Sequence, residues 1–406
     1  MLSTLRRKIS ALRTYAELPA AGRREAWRDQ FGRLKEDPGP RLAIEAGIDW
    51  LTVAQDQSRT GDGGVARHWG YRTGWAASYP ETTGYIVPTM LEAADFLKKP
   101  ELEQRGRKML DWLAAIQLPG GGFQGGTVDA TPVVPVTFNT GQIALGLAAG
   151  AARFGDPYRG ALEQACNCLA TTQDPDGCWR RHPTPFARGG EMAYETHVSW
   201  GLLEGARVTR DSTWADAARR NIDWALTKQR PNGWFADCCL NDPVRPLTHT
   251  IGYVLRGVLE GHRFFGDSAL LEASERTADA LLGCQLPTGA IPGRLDAEWH
   301  PAVSWVCLTG LVQIAACWFY MSEVTGRRQY RDAACRATAF VRRTLHLDGP
   351  ATTRGGVKGA FPVSGGYGTY EYLNWAAKFL VDACLMEIRA SPTPTSIPTP
   401  SSKLFG

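Results

Sequence analysis

The sequence predicts an all-α fold in which six helical hairpins close into a ring. Three observations support this prediction. Glutamines recur every 56 residues, and each is followed four positions later by a glycine. Segments with helical periodicity lie between these glutamines, and mostly apolar segments alternate with more polar ones. The two ends of the chain also supply the two halves of one hairpin, so the array can close on itself.

The repeated motif is Gln-x3-Gly followed, two residues later, by an aromatic or apolar residue. It occurs four times in register, at residues 117–123, 173–179, 229–235 and 285–291. Near the N-terminus, Gln57 with Gly61 repeats its first part. Because a fixed period of this length is typical of stacked helical hairpins, the motif sets the register of the whole fold.

Each repeat contains two predicted helices of different character. The helix before each glutamine, as at 102–116 and 214–228, has charges on one face and Leu, Ala and Trp on the other, which is typical of an outer layer. The other helix has little polar surface, so it must be surrounded by further helices. We therefore predict inner helices over residues 83–96, 140–152, 196–208 and 250–264.

The remaining segments complete the ring. Residues 304–325 and 330–345 form a fifth predicted hairpin, and residues 372–388 form a sixth inner helix that no outer helix follows. Residues 42–57 have the character of an outer helix and lie at the other end of the chain. We expect these two to pair, because a closed ring leaves no edge that needs a cap.

We predict three parts: a basic N-terminal helical extension (1–36), a toroidal catalytic domain (37–390) and a disordered tail rich in Pro, Ser and Thr (391–406).

The net charge of +4 is too small to imply a nucleic-acid partner. The basic extension is either a solvated capping helix or a peripheral contact with an anionic membrane. Without an apolar span or a signal peptide, we expect a cytoplasmic protein.

The ten cysteines have irregular spacing, and neither close pair has the two-residue gap typical of zinc ligands. We predict no metal site and no cofactor.

The loops from outer to inner helices are long, roughly 15 to 25 residues, and loops of that length tend to be functional. All six emerge on one face, together with the N-termini of the inner helices, whose unpaired N–H groups favour anions. We expect the functional cleft on that face.

The motif at residues 173–179 resembles the repeat of the squalene and terpene cyclases and of the protein prenyltransferases, which share an α/α toroid. This resemblance implies an architecture and a structural role for the motif, but the chain lacks the Asp-x-Asp-Asp motif of a cyclase. Residues 79–85 and 370–378 look like those of helical proteins associated with bacterial polysaccharide biosynthesis, and 79–85 also resembles the helical domain of glucuronyl C5-epimerases. These resemblances imply an (α/α)6 carbohydrate-active enzyme.

Polar and aromatic side chains recur at the predicted starts of the inner helices, a mixture suited to sugar binding because aromatic faces stack on pyranose rings while polar groups bind hydroxyls. The candidate catalytic residues are Glu81, Tyr194, Glu195, His197, His249, Tyr370 and Glu371. The candidate substrate-binding residues are Trp75, Tyr79, Asn139, Arg188, Arg294, Trp299, His300, Tyr372 and Asn374.

Two chemistries fit these residues. A Tyr or His can remove the C5 proton of a uronate while Arg188 or Arg294 neutralises its carboxylate, which gives epimerisation or elimination. Alternatively, two of Glu81, Glu195 and Glu371 can hydrolyse a glycosidic bond. A terpenoid or prenyl cyclase is a third alternative. We favour proton abstraction on an acidic oligo- or polysaccharide in polysaccharide biosynthesis, with a lipid-linked glycan as one form of that substrate.

Overall fold

The computed structural model describes residues 13–185 and 190–390. Its helices, in chain order, are α1 (Ala20–Phe31), α2 (Pro40–Asp56), α3 (Pro80–Leu97), α4 (Pro100–Ala115), α5 (Thr137–Phe154), α6 (Asp156–Thr172), α7 (Thr196–Thr209), α8 (Ser212–Leu226), α9 (Thr248–Phe265), α10 (Ser268–Cys284), α11 (Leu308–Thr325), α12 (Arg328–Arg342) and α13 (Asn374–Ala390). The short strands are β1 (His68–Gly70), β2 (Gly74–Trp75), β3 (Val306–Cys307), β4 (Ala360–Phe361) and β5 (Glu371–Leu373).

The described helices form the predicted closed toroid. The inner ring runs α3, α5, α7, α9, α11 and α13, each helix packs against the next, and α13 packs against α3. The outer helices α4, α6, α8, α10 and α12 each pack on the inner helix that precedes them in the chain. Helix α2 packs on α13, so the N-terminal outer helix pairs with the C-terminal inner helix, as predicted.

The repeated glutamines link neighbouring outer helices. Gln173 follows α6, and its Nε2 donates to the carbonyl oxygens of Gly177 at 3.1 Å and of Ala217 in α8 at 2.8 Å. Equivalent bonds join Gln117 to Gly121 and Ala161, and Gln285 to Gly289 and Ala333. The glutamines therefore tie a loop and two successive outer helices together, far from the axis of the ring.

The glycine of the motif is required by its conformation and by its surroundings. Gly233 has a φ of +83°, and an added Cβ would lie 2.5 Å from the carbonyl oxygen of Arg276 in the next outer helix. Because other residues seldom adopt this conformation and no side chain fits this space, only glycine is accommodated.

Gln57 and Gly61 repeat the sequence signature, but Gln55 and Gly63 make the corresponding structural link. The Gln55 Nε2 donates to the carbonyl oxygens of Gly63 at 2.9 Å and of Arg105 at 3.3 Å. Gln57 is exposed, and α2 ends one residue before it. The glutamine and its glycine are therefore 8 residues apart in this repeat, whereas they are 4 apart in the regular motif.

Two inner helices begin later than predicted because strands precede them. β3 pairs antiparallel with β4, so α11 starts at Leu308. β5 pairs antiparallel with β1, so α13 starts at Asn374. In the described part of the chain, no helix combines the length and the apolar character needed to cross a bilayer. The predicted tail, 391–406, lies outside the described residues.

Candidate functional site

A cavity of about 150 Å³ opens where the N-termini of the inner helices meet the long loops. Its walls come from α3, α5, α9, α13 and the loops between them. Among the described residues, the lining comprises Arg67, Tyr79, Glu81, Tyr85, Phe138, Thr184, Tyr194, Leu240, His249, Thr250, Tyr253, Tyr367 and Trp375. The cavity lies on the face that the sequence predicts for the functional cleft.

Two larger clefts, of about 790 and 630 Å³, lie at the opposite end, where the inner helices finish. Their charged side chains neutralise one another: Arg256 binds Glu260 at 2.8 Å, and Lys378 binds Asp382 at 2.5 Å. We place the candidate site in the smaller cavity because its acid, Glu81, and its imidazole, His249, form no ion pair among the described residues.

Glu81 is the acidic group of the cavity. Pro80 and Glu81 begin α3, so the carboxyl lies at the N-terminus of an inner helix. The Tyr79 hydroxyl donates to its Oε2 at 2.9 Å. Burial raises the pKa of Glu81 to about 7, although the Tyr79 hydrogen bond and the Arg67 charge favour the ionised form. Glu81 is therefore mostly a neutral acid below pH 7 and about half ionised at pH 7.

His249 is the basic group of the cavity. Its Nδ1 lies 2.6 Å from Oε1 of Gln313 in α11. An amide oxygen only accepts hydrogen bonds, so Nδ1 carries the hydrogen and Nε2 is the free acceptor. Burial lowers the pKa of His249 to about 4, which keeps the imidazole neutral over most of the physiological range.

Aromatic rings surround these two groups. The Tyr253 ring lies 4.4 Å from the His249 ring, and the Phe138 ring lies 5.1 Å from that of Tyr253. Phe138 also packs edge-on against Tyr194 at 5.3 Å, and Tyr367 lies 5.4 Å from His249. These distances are typical of aromatic packing, and the rings form an apolar wall that keeps water from the titratable groups.

Arg67 is the cation of the cavity, and sequence reasoning missed it. Its guanidinium lies 5.2 Å over the Trp375 ring and 3.5 Å from Oε2 of Glu371, with side-chain exposure of 35%. Arg67 comes from the loop before β1, where no periodicity marks its direction. Phe138, Leu240 and Tyr367 were missed as well. Phe138 is the neighbour of the candidate Asn139, and the sequence did not show which of the two side chains faces the cavity.

Four of the candidates meet in the cavity: Tyr79, Glu81, Tyr194 and His249. Glu195 does not line it. Its side chain is fully buried, burial raises its pKa to about 8, and its Oε2 has no hydrogen-bond partner among the described residues. His197 lies deeper, in a gap beside Lys378 and Arg256, with Nδ1 2.7 Å from Oε1 of Gln142.

The remaining candidates lie outside the cavity and have other contacts. Tyr370 packs with Leu18 and Ala26, and Trp75 packs on Trp50. The Tyr372 hydroxyl lies 3.3 Å from the Tyr71 hydroxyl. Glu371 contacts Arg67 and His68. Four candidates donate hydrogen bonds to backbone carbonyl oxygens: Asn139 to Gln124, Asn374 to Ala66, Arg294 to Arg245 and Trp299 to Asn232. His300 is exposed and lies 3.5 Å from Asp296. Arg188 lies outside the described residues.

No protein-family model matches the chain. Among curated proteins, it is 25% identical over 356 residues to a terpene cyclase-glycosyl transferase fusion protein of Humicola fuscoatra. That alignment covers 79% of this chain and 24% of the fusion protein. The chain thus spans about a quarter of the length of the curated relative that it matches.

Among solved structures, the chain is similar to an unsaturated glucuronyl hydrolase specific for heparin (TM-score 0.69, 14% identity, covering 86% of this chain and 97% of that one). It is also similar to cellobiose 2-epimerase from Bacillus thermoamylovorans (TM-score 0.68, 12% identity, covering 85% of this chain and 98% of that one). A third similar structure is a D-mannose isomerase (TM-score 0.67, 11% identity, covering 85% of this chain and 97% of that one). At these identities the similarity establishes the fold, a toroid shared with carbohydrate-active enzymes.

Proposed function

We propose that this protein is a carbohydrate-active enzyme that transfers protons at C5 of a uronate residue in an acidic glycan. The observation that carries the proposal is the presence of a neutral acid, Glu81, and a neutral base, His249, in one aromatic cavity. Proton abstraction next to a carboxylate needs such a pair, because one group must accept a proton while another supplies one.

The proposed step uses three residues. Nε2 of His249 takes the C5 proton, and the electron pair of the broken C–H bond spreads into the uronate carboxylate, whose charge Arg67 neutralises. Glu81 then gives its proton either to C5 from the opposite side or to O4. The first outcome is the C5 epimer; the second breaks the C4–O4 bond and leaves an unsaturated sugar.

Two findings support a sugar as the substrate. The structural neighbours include proteins described as a glucuronyl hydrolase, an epimerase and an isomerase. The cavity is also smaller than the roughly 300–1,000 Å³ typical of sites for drug-sized ligands, so it suits one ring rather than a long chain. The tyrosine and tryptophan faces provide stacking surfaces for that ring.

Hydrolysis by a carboxylate pair receives less support. Of the three glutamates considered for it, only Glu81 lines the cavity in the described part of the chain. Glu195 is buried elsewhere and Glu371 is held by Arg67 and His68. A glycosidase needs two carboxyl groups that flank one bond, about 5 to 9.5 Å apart.

A second candidate function is protonation of an isoprenoid by Glu81. The identity to the Humicola fuscoatra fusion protein favours it, as does the aromatic wall, because ring faces stabilise cations. The small cavity and the neutral His249 base favour the sugar substrate instead. Both functions use Glu81 as the proton donor, so only the substrate distinguishes them.

Solvent exchange tests the proposal. The protein is incubated in D2O with uronate-containing oligosaccharides, and NMR measures deuterium at C5. We expect the wild type to give either an epimer that carries deuterium at C5 or an unsaturated product that has lost its C5 hydrogen, and we expect Glu81→Gln to form neither. Glu298→Gln, which changes an exposed glutamate of another loop, is the matched control and keeps the exchange.

The same assay separates the candidates. Neutral oligosaccharides should show no exchange, because they lack the carboxylate that Arg67 would bind. Cyclisation of a polyprenyl substrate by the wild type, with no exchange in any uronate, would favour the isoprenoid function and reject the sugar function. Hydrolysis without C5 exchange would reject proton abstraction as well.

A further inference from the structure

Helix α1 carries the most exposed aromatic pair in the described part of the chain. Trp27 is 63% exposed and Phe31 is 70% exposed, and their ring centroids lie 5.9 Å apart because they are four residues apart on one helical face. Other exposed apolar residues, such as Val244 and Leu286, belong to separate loops. An aromatic pair held in water on the face of a helix needs an explanation.

The charges of α1 are sorted between its two faces. Its two acidic residues, Glu25 and Asp29, are buried, where they bind Lys358 at 2.8 and 2.6 Å. The exposed face carries Arg23 and Arg24 beside the aromatic pair and no acidic residue of the helix, while Arg28 is half-exposed and binds Glu25 at 3.1 Å. The inward ion pairs fix this orientation, so the aromatic and cationic side chains face outward together.

We propose that α1 docks the protein on an anionic lipid bilayer. Aromatic rings, above all Trp, favour the headgroup region, where the ring is apolar and its N–H remains hydrated. Arginines beside them are attracted to anionic headgroups. The chain continues this charge before the described residues with Arg6, Arg7 and Lys8. A short convex helix whose outward charge is all positive matches a flat anionic surface better than a groove of another protein.

The position of α1 gives this surface a role. Val363 N donates to Asp29 at 2.8 Å, and Leu18 and Ala26 pack against Tyr370, so α1 is fixed to the loops beside the candidate cavity. Docking through α1 therefore brings that loop face to the bilayer, where a lipid-linked acidic glycan would be located. The docking proposal stands on α1 alone and does not depend on the proposed reaction.

Vesicle co-sedimentation of the full chain tests the proposal. We expect binding to vesicles that mix phosphatidylcholine with phosphatidylglycerol, no binding to phosphatidylcholine alone, and weaker binding at higher salt. The double variant Trp27→Ala/Phe31→Ala should lose binding. Arg24→Gln, at a side chain with no ion pair among the described residues, should weaken binding about fivefold, the effect of one basic residue near such a surface.

The controls separate docking from misfolding and from self-association. Val244→Ala and Leu286→Ala remove exposed apolar side chains elsewhere and should leave vesicle binding unchanged. Circular dichroism confirms that each variant is folded. The proposal is overturned if the wild type does not sediment with anionic vesicles, or if the double variant binds them equally well. Loss of a dimer in that variant, without vesicle binding by the wild type, would assign the surface to a second copy of the chain.

Discussion

Nδ1 of His249 lies 2.6 Å from Oε1 of Gln313 on the neighbouring inner helix. The same relationship joins His197 to Gln142 at 2.7 Å, again between adjacent inner helices. In both pairs the amide oxygen fixes which ring nitrogen carries the hydrogen. Of these two histidines, only His249 lines the candidate cavity. Comparing the two pairs therefore tests the role of the His249–Gln313 pair.

Gln313→Leu should lower kcat at least about tenfold, because the His249 ring loses the acceptor that fixes its tautomer and orientation. Gln313 acts through His249, so KM should change little. The measurement is steady-state kinetics on the uronate substrate. Gln142→Leu is the matched control, since it breaks the pair outside the cavity and should leave kcat close to the wild-type value. An equal loss in both variants would assign the two glutamines to packing.

The pH dependence of kcat/KM should be bell-shaped, with limbs near pH 4 and pH 7. Below the lower limb His249 is protonated and cannot accept a proton; above the upper limb Glu81 is ionised and cannot donate one. Glu81→Gln should reduce activity about a hundredfold or more, since general acid catalysis contributes at least that much. Activity that rises through pH 7 would contradict the assignment of Glu81 as the acid.

Glu195 should make the protein less stable as the pH rises. Its pKa is about 8 in the folded state, against 4.5 for a glutamate side chain free in water, so the folded state binds more protons between these values. Stability is therefore lost as the pH rises from about 4.5 to about 8. Glu195→Gln, which stays neutral, should be more stable than the wild type at pH 8 by on the order of 4 kcal/mol.

Chemical denaturation at several pH values measures this difference. The gain from Glu195→Gln should shrink as the pH falls towards 4.5, where the wild-type carboxyl is protonated in the folded state and about half protonated in the unfolded state. Glu272→Gln, at an exposed position of α10, should change stability little at any of these pH values. A gain that does not depend on pH would show that the ionisation of Glu195 is not its cause.

Gln173→Ala should lower the free energy of unfolding by about 1 to 3 kcal/mol, because it removes two hydrogen bonds, those from Nε2 to the carbonyl oxygens of Gly177 and Ala217, although Asn221 Nδ2 still donates to that of Gly177. Gln104→Ala, on an exposed face of α4, should have almost no effect. Urea denaturation measures both variants. Catalytic activity of folded Gln173→Ala should equal that of the wild type, whereas a specific loss of activity would give the glutamine a role at the site.

The repeat made most of the fold predictable from the sequence. An inner helix with little polar surface can be buried only by its neighbours, so the spacing of the glutamines and the alternation of helix character determined the hairpins, the ring and the pairing of α2 with α13. The exceptions, at Gln57 and at the starts of α11 and α13, occur where a helix end or a strand pair depends on contacts from a distant part of the chain.

The amino-acid sequence by itself determined the closed ring, the face that carries the cavity and the placement of Glu81 and His249 at inner-helix starts. Only the tertiary structure decided which side chains share the cavity. Tyr194 and Glu195 are adjacent, yet Tyr194 lines it and Glu195 does not, because both lie in a 3₁₀ turn, where successive residues point about 120° apart. Arg67 comes from a loop, and the direction of a loop side chain is set by packing rather than by periodicity.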